Sequence, residues 1–144
     1  MTNFLGFRIG NADGAAELIP TVDETSLVDL VANFEAAGGM TPAGSYAGLI
    51  PAHFNFGDLS EYYLGRNQRQ WPGSGRLWLL GCNSGEVGCW PLEVTVTLSK
   101  GRVMWSAFRQ PHRPQWNYDD FGPFEFDVAQ YRSAVGRAVT AAAL

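Results

Sequence analysis

Cysteine, histidine and basic residues are scarce in this chain of 144 residues, and long apolar runs are missing. The chain holds two cysteines, two histidines and ten lysines and arginines, against fourteen acidic residues. Two cysteines are too few for a disulfide framework, so we expect a thiol pair in a cytoplasmic protein. The apolar run at residues 77–80 is far too short to cross a bilayer, and we expect neither a membrane segment nor a secretory signal.

The net charge of −4 argues against a nucleic-acid partner, which normally requires a basic surface. The charge is unevenly distributed. Residues 1–61 hold eight acidic residues and one arginine, whereas residues 62–114 hold seven basic and two acidic residues. Either the acidic and basic segments face each other within the fold, or a basic groove binds a small anionic ligand. The arginines of such a groove would be Arg66, Arg69, Arg76, Arg109 and Arg113.

Hydrophobic periodicity predicts a single α+β domain over residues 1–144. The expected architecture is an antiparallel sheet of about five strands, with two main helices packed on one face. Ser26 and Asp127 are candidate N-caps for helices over residues 26–37 and 128–142, where apolar residues recur at helical spacing. A short helix is also expected near residues 58–64. The candidate strands are residues 4–10, 16–22, 76–82, 92–98, 102–108 and 122–126.

The clearest local prediction is a hairpin folded at Lys100 and Gly101. Apolar and polar residues alternate from Leu92 to Leu98, which is the pattern of a strand buried on one face. The turn predicts three cross-strand pairs that place apolar residues on a common buried face. These pairs are Leu98 with Val103, Val96 with Trp105 and Val94 with Ala107.

Residues suited to a functional site crowd together between residues 77 and 127, which hold four of the five tryptophans and both cysteines. Cys82, Cys89 and His112, with His53 as a more distant fourth ligand, would offer the thiolates and imidazole that suit zinc. However, six residues separate the cysteines, which is more than the gap of a structural zinc knuckle. Two buried thiols that pack as small apolar groups are the simpler interpretation.

Cysteine-dependent catalysis is a further alternative. Cys82 or Cys89 would act as the nucleophile and His112 as the base, while Asp119 or Asp120 would orient the imidazole. Each residue also has a structural explanation, because His112 stands between prolines and the two aspartates suit an exposed turn.

A binding surface is the alternative that we favour, and we place it on residues 109–121, here called the strap. Prolines stiffen this segment, and aromatic rings alternate with planar donors, as in binding surfaces for peptides, sugars or proteins. The same rings also suit a core, and Trp105 on the buried hairpin face is expected there. The candidate ligand-binding residues are Arg109, Gln110, His112, Arg113, Trp116 and Tyr118.

Several short motifs resemble those of a family of small uncharacterised bacterial proteins. They are Gly81-Cys82, Gly85-Glu86, Gly88-Cys89-Trp90-Pro91-Leu92, Gln110-Pro111-His112-Arg113, Phe121-Gly122-Pro123-Phe124, Phe126-Asp127 and Gln130-Tyr131. The resemblance covers the C-terminal half and implies no particular activity. Members of the family tend to carry a further cysteine where Ser84 stands here, and this departure weakens the zinc hypothesis.

The sequence therefore predicts a non-enzymatic module without a cofactor, which binds a protein partner or a small anionic ligand at the strap and forms homo-oligomers. The rival hypothesis is a metal protein or an enzyme centred on Cys82, Cys89 and His112.

Overall fold

A hairpin formed by β1 (Leu5–Ala12) and β2 (Ala15–Val22) is the first element of the fold. Asp13 and Gly14 turn the chain at positive φ values of 53° and 88°, which match the twist of a two-residue hairpin loop. A short strand β3 (Thr25–Ser26) pairs with β2, so the hairpin belongs to a three-stranded sheet of its own. The sequence predicts the hairpin but not this separate sheet. The structure, a computed structural model, describes residues 2–66, 75–84 and 87–143.

A second sheet contains five strands in the order β4-β5-β6-β7-β8, and every pairing in it is antiparallel. The five-stranded antiparallel sheet and the α+β class are as predicted. The candidate edge strand after Pro123 is present as the outermost strand β8. The strands are β4 (Tyr46–Ala47), β5 (Arg76–Cys82), β6 (Leu92–Ser99), β7 (Arg102–Arg109) and β8 (Phe124–Asp127).

The hairpin β6–β7 has the predicted register next to its turn. Leu98 lies opposite Val103, and Val96 lies opposite Trp105. Three of these side chains are buried, but Leu98 is 37% exposed because it lies next to the turn, at the tip of the hairpin. Alternating polarity therefore predicted the pairing correctly and overestimated the burial at the turn.

A bulge changes the register in the second half of the hairpin. The predicted pairing of Val94 with Ala107 is wrong: Glu93 lies opposite Arg109, and Ala107 adopts a φ of 53°. The extra residue leaves Ala107 exposed and turns Phe108 into the core instead. Because the alternation is reset here, the side chains that follow Phe108 enter the strap on faces opposite to those expected.

Each of the three helices in the described part of the chain begins where a side chain accepts a hydrogen bond from the first-turn backbone. The N-caps of the two long helices are the predicted ones, and the first helix ends at Gly38, where a glycine pair is expected to stop it. The helices are α1 (Leu27–Ala37) after Ser26, α2 (Leu59–Tyr62) after Asp58 and α3 (Val128–Ala142) after Asp127.

The two long helices connect the two sheets. α1 contacts β2, β3 and β4, whereas α3 contacts β1 and β2 as well as β7 and β8. Gln130 of α3 fixes the position of β1, because its amide accepts from the backbone N–H of Leu5 at 2.9 Å and donates to the Leu5 carbonyl at 2.6 Å. Within the described ranges, no helix combines the length and apolar character needed to span a bilayer.

Both edges of the five-stranded sheet also meet the N-terminal segment. Asn3 forms a parallel bridge with Phe126 of β8, and Leu18 of β2 forms an antiparallel bridge with Leu49, just beyond β4. The second bridge has two backbone hydrogen bonds, of 2.8 and 3.0 Å. The two sheets thus enclose one continuous hydrophobic core.

Trp105 lies at the centre of this core, as the sequence predicts, and is fully buried. Its indole N–H donates to the hydroxyl of Tyr131 at 3.1 Å, and that hydroxyl donates to the backbone carbonyl of Tyr63. The polar atoms of both aromatic side chains are therefore satisfied inside the core.

Candidate functional site

A fully buried carboxylate, Glu35, lies beneath the strap. It belongs to the third turn of α1 and accepts a hydrogen bond from the backbone N–H of Gly44 at 2.8 Å. The hydroxyls of Tyr46 and Tyr118 also donate to it, each at 2.6 Å. Three short bonds offset much of the cost of removing a carboxylate from water. The network joins α1, the segment around β4 and the strap.

Gln110 extends this network at the start of the strap and is itself fully buried. Its side-chain amide donates to the hydroxyl of Tyr46 at 3.1 Å and to the carbonyl of Pro91 at 2.9 Å. Burial, and then the hydrogen bond to Glu35, raises the pKa of Tyr46 and of Tyr118 well above the usual tyrosine value. Both phenols therefore stay neutral donors at physiological pH.

The strap is held along its length by backbone turns. The N–H of Arg113 donates to the carbonyl of Gln110 at 2.9 Å, and the N–H of Trp116 donates to the carbonyl of Arg113 at 3.0 Å. Near the far end, the N–H of Phe121 donates to the carbonyl of Tyr118 at 2.9 Å. The buried ring of Phe121 also packs against rings from α1 and β7. The segment is therefore ordered before any ligand binds.

Four side chains form a cluster that we call the Trp90 platform: the buried ring of Trp90, and His112, Arg113 and Trp116 of the strap itself. The Trp90 ring is nearly parallel to His112, with centroids 6.3 Å apart, and meets Trp116 edge-on at 5.8 Å. The Arg113 guanidinium carbon lies 5.0 Å from the Trp90 centroid and 6.0 Å from that of Trp116. The indole N–H of Trp90 donates to the carbonyl of Gly44 at 2.9 Å. Gly44 thus links the platform to Glu35.

Three of the six candidate ligand-binding residues, His112, Arg113 and Trp116, belong to this platform. His112 is exposed, whereas Arg113 and Trp116 are half-buried. The predicted surface position of Tyr118 is wrong, and Gln110 is equally withdrawn from solvent: they are 4% and 0% exposed. Their polar atoms complete the network around the buried carboxylate. They therefore support the platform from below.

The sixth candidate, Arg109, points away from the network because of the bulge. Its Nε lies 2.8 Å from a carboxylate oxygen of Glu93, and Arg76 approaches the same oxygen at 3.5 Å. Glu93 is almost completely buried, so the two arginines neutralise an interior charge. Arg66 pairs with an acidic residue of α2, and Arg69 lies outside the described residues. This geometry gives the basic-groove hypothesis no support.

The two thiols lie side by side at the end of β5. The Cys82 and Cys89 sulfurs are 2.7 Å apart. The hydroxyl of Ser84 lies 3.1 Å from the sulfur of Cys82 and 3.8 Å from that of Cys89. Cys82 is buried, as the sequence predicts for a packed thiol, whereas Cys89 is exposed.

The metal and enzyme hypotheses need His112 to act together with these thiols. Within residues 2–66, 75–84 and 87–143, no group of three or more His, Cys, Asp or Glu side chains is arranged to hold a metal ion. The His112 ring lies against Trp90, while Asp119 and Asp120 are exposed, as expected for a turn. The backbone N–H of Asp119 donates to the side chain of Asn117 at 2.7 Å. None of these contacts supports a catalytic triad.

A surface cleft of about 280 Å³ lies between α2 and α3, away from the strap. Its lining includes Asp58 and Glu61, which already have local partners. Asp58 caps α2, and Glu61 pairs with Arg66 at 3.5 Å. Arg132, an exposed arginine of α3, is the third charged residue of the lining.

Sequence reasoning missed Glu35, the residue on which the strap depends. A signal was present, because Leu27, Val31 and Glu35 recur at intervals of four and are the buried residues of α1. A carboxylate on the apolar stripe of a helix requires buried donors. The apolar stripe predicted the helix, but the hydrogen-bond partners of its one acidic member were not predicted.

Comparison with known proteins found no family model, no curated protein and no solved structure that matches this chain. The class is therefore defined by fold and site alone. It is an α+β protein in which a stiff strap, fixed over a buried carboxylate, supports an aromatic and cationic surface patch.

Proposed function

We propose that this protein is a non-catalytic binding module that uses the Trp90 platform to bind an acidic segment of a partner protein. The observation that carries the proposal is the order of the strap before binding. Gln110 and Tyr118 anchor it from below, and its turns fix the backbone between them. A surface already fixed in its bound form loses little conformational entropy when it binds.

The chemistry of the platform favours a partner with carboxylates. Arginine and tryptophan are the residues most often found at the energetic centre of protein interfaces. Arg113 is held over Trp90, and its NH1 donates to the carbonyl of His112 at 2.9 Å. Stacking in this way fixes the orientation of the planar guanidinium and leaves further N–H groups for a carboxylate.

Selection of peptides on the immobilised protein tests this function. A random peptide library should yield acidic sequences whose Kd rises at least about tenfold in Arg113→Ala and in Trp116→Ala. Arg113→Lys should lose most of the affinity as well, because lysine keeps the charge but not the planar stacking. Arg137→Ala, which removes an exposed arginine from α3, serves as the control with the same change in charge.

Two outcomes would refute the proposal. The first is that selected peptides bind the wild type and the platform variants with equal Kd. The second is that the wild type is a dimer that Arg113→Ala converts to a monomer, since the platform would then bind another copy of this chain. Sedimentation of both proteins, together with the peptide titrations, separates these results.

A further inference from the structure

The sulfurs of Cys82 and Cys89 are in direct contact. Their separation of 2.7 Å compares with about 2.05 Å in a disulfide. Two thiolates bound to one tetrahedral zinc ion at about 2.3 Å would lie about 3.8 Å apart. The two sulfurs are therefore close enough for one to attack the other.

The two thiols differ in the way that a thiol–disulfide pair requires. Cys89 is exposed and can meet a dissolved oxidant, whereas Cys82 is only 7% exposed. On its inner side, Cys82 borders a cavity of about 10 Å³, which has room for one water molecule at most. A small disulfide can therefore reach Cys89 but not Cys82, and Cys82 lies in position to displace it.

The local backbone brings the sulfurs together. Cys82 ends β5, and Cys89 ends a 3-10 turn, Val87–Cys89, that packs on this strand. The approach depends on Gly81, because a Cβ there would lie 3.0 Å from the Cα of Val87. Ser84 adds a hydroxyl within 3.1 Å of the Cys82 sulfur, which can stabilise a thiolate at that position.

We propose that Cys82 and Cys89 form a reversible thiol–disulfide site whose co-substrate is a low-molecular-weight disulfide. The Cys89 thiolate attacks one sulfur of that disulfide, forms a mixed disulfide and releases one thiolate. The Cys82 thiolate then attacks the Cys89 sulfur, forms the Cys82–Cys89 bond and releases the second thiolate. The two protons lost by the protein thiols end on the released thiolates. One disulfide is thus reduced to two thiols, and the protein dithiol is oxidised.

Oxidised glutathione is the probe for the test. After prior reduction, the wild-type protein should lose both reactive thiols, retain no glutathione and form no disulfide between two copies, as measured by acid quench, alkylation and intact mass. Cys82→Ala should trap glutathione on Cys89. Cys89→Ser should react at least about tenfold more slowly, because its remaining thiol is buried.

Ser84→Ala provides a variant that leaves both thiols in place. Without the hydroxyl near Cys82, the second step should slow, so the mixed disulfide on Cys89 should accumulate transiently. This result would show that the step runs through Cys82 and is not a solvent reaction. The wild-type measurement stands even if a cysteine variant does not fold.

Three wild-type results would overturn the proposal: both thiols survive excess oxidised glutathione, a stable glutathione adduct persists on Cys89, or a disulfide forms between two copies. Stoichiometric zinc that protects both thiols from oxidation would do the same. The inference does not rest on peptide binding at the platform, so failure of the peptide experiment leaves it unaffected.

Discussion

Glu35 shows how one buried side chain can organise a surface that it never reaches. Its hydrogen-bond donors come from the segment around β4 and from the strap. Removing the acceptor would leave several polar groups buried without a partner. The loss would therefore spread from the interior to the platform above.

Replacement of Glu35 should be among the most destabilising single substitutions in this chain. Glu35→Ala leaves three buried donors without an acceptor, and we expect a loss of about 3 kcal/mol or more in the free energy of unfolding. Glu35→Gln keeps the shape and should cost less, about 1–2 kcal/mol. Urea denaturation measures both variants.

Asn33→Ala on the exposed face of the same helix is the matched control, and its effect should stay within about 0.5 kcal/mol. If Glu35→Ala and Asn33→Ala have equal stability, the buried network contributes nothing measurable to the fold.

Within β7, the bulge determines which side chains of the strap face the core. It shifts the alternation by one residue, so that Arg109 lies opposite Glu93 and Gln110 enters the interior. Without the bulge, Gln110 would face solvent and Arg109 the core. The single residue Ala107 therefore decides which side chains of the strap are structural and which are available to a ligand.

Ala107→Val tests this role against simple β-propensity. Valine favours strands in general, but a β-branched side chain is strained at a φ of 53°. We expect the free energy of unfolding to fall by about 1–3 kcal/mol. Thr97→Val, at an exposed position of β6 with ordinary strand pairing, should be neutral or slightly stabilising. Chemical denaturation that shows the same change for both variants would contradict the strain at Ala107.

The sequence predicted the regular part of these elements because their signals are local. Caps at Ser26 and Asp127 and the alternation of β6 each depend on residues close together in the chain. The bulge was missed because Ala107 and Phe108 are both apolar, and either suits the inward position. Polarity alone does not show which of two adjacent apolar residues is turned outward.

At the scale of the whole molecule, the tyrosines dominate the expected response to pH. All five are buried deeply enough that desolvation, the largest cause, raises the pKa of each above 10.0. Above about pH 10, the unfolded chain loses phenolic protons that the folded chain keeps. Stability contributed by the neutral phenols is complete below that pH and falls as pH rises through it.

Alkaline titration should therefore unfold the protein in one steep transition above pH 10. Each tyrosine that stays neutral in the folded state adds about 1.4 kcal/mol of destabilisation per pH unit once its unfolded counterpart is ionised. Tyrosinate absorbance and loss of circular dichroism should rise together. Tyrosines that ionise near pH 10 while the circular dichroism is unchanged would contradict their burial.

The long-range arrangement was the least predictable part of the fold and of the site. Asn3 with Phe126, Leu18 with Leu49 and the donors of Glu35 are pairings between distant segments. No local pattern marks such partners, because each residue alone suits many environments. The distance between the two cysteine sulfurs was not predictable for the same reason, because six intervening residues allow the sulfurs either to meet or to lie far apart.

The clamp between Gln130 and Leu5 also has a consequence for synthesis on the ribosome. The side-chain amide of Gln130, which forms hydrogen bonds with the backbone of Leu5, is translated 125 residues later. Until then, the apolar face of the hairpin β1–β2 is exposed outside the ribosome, because α3 has not yet been synthesised to cover it. A nascent chain stalled before α3 should accordingly be digested readily by protease. We expect chaperones to bind this exposed face in the cell.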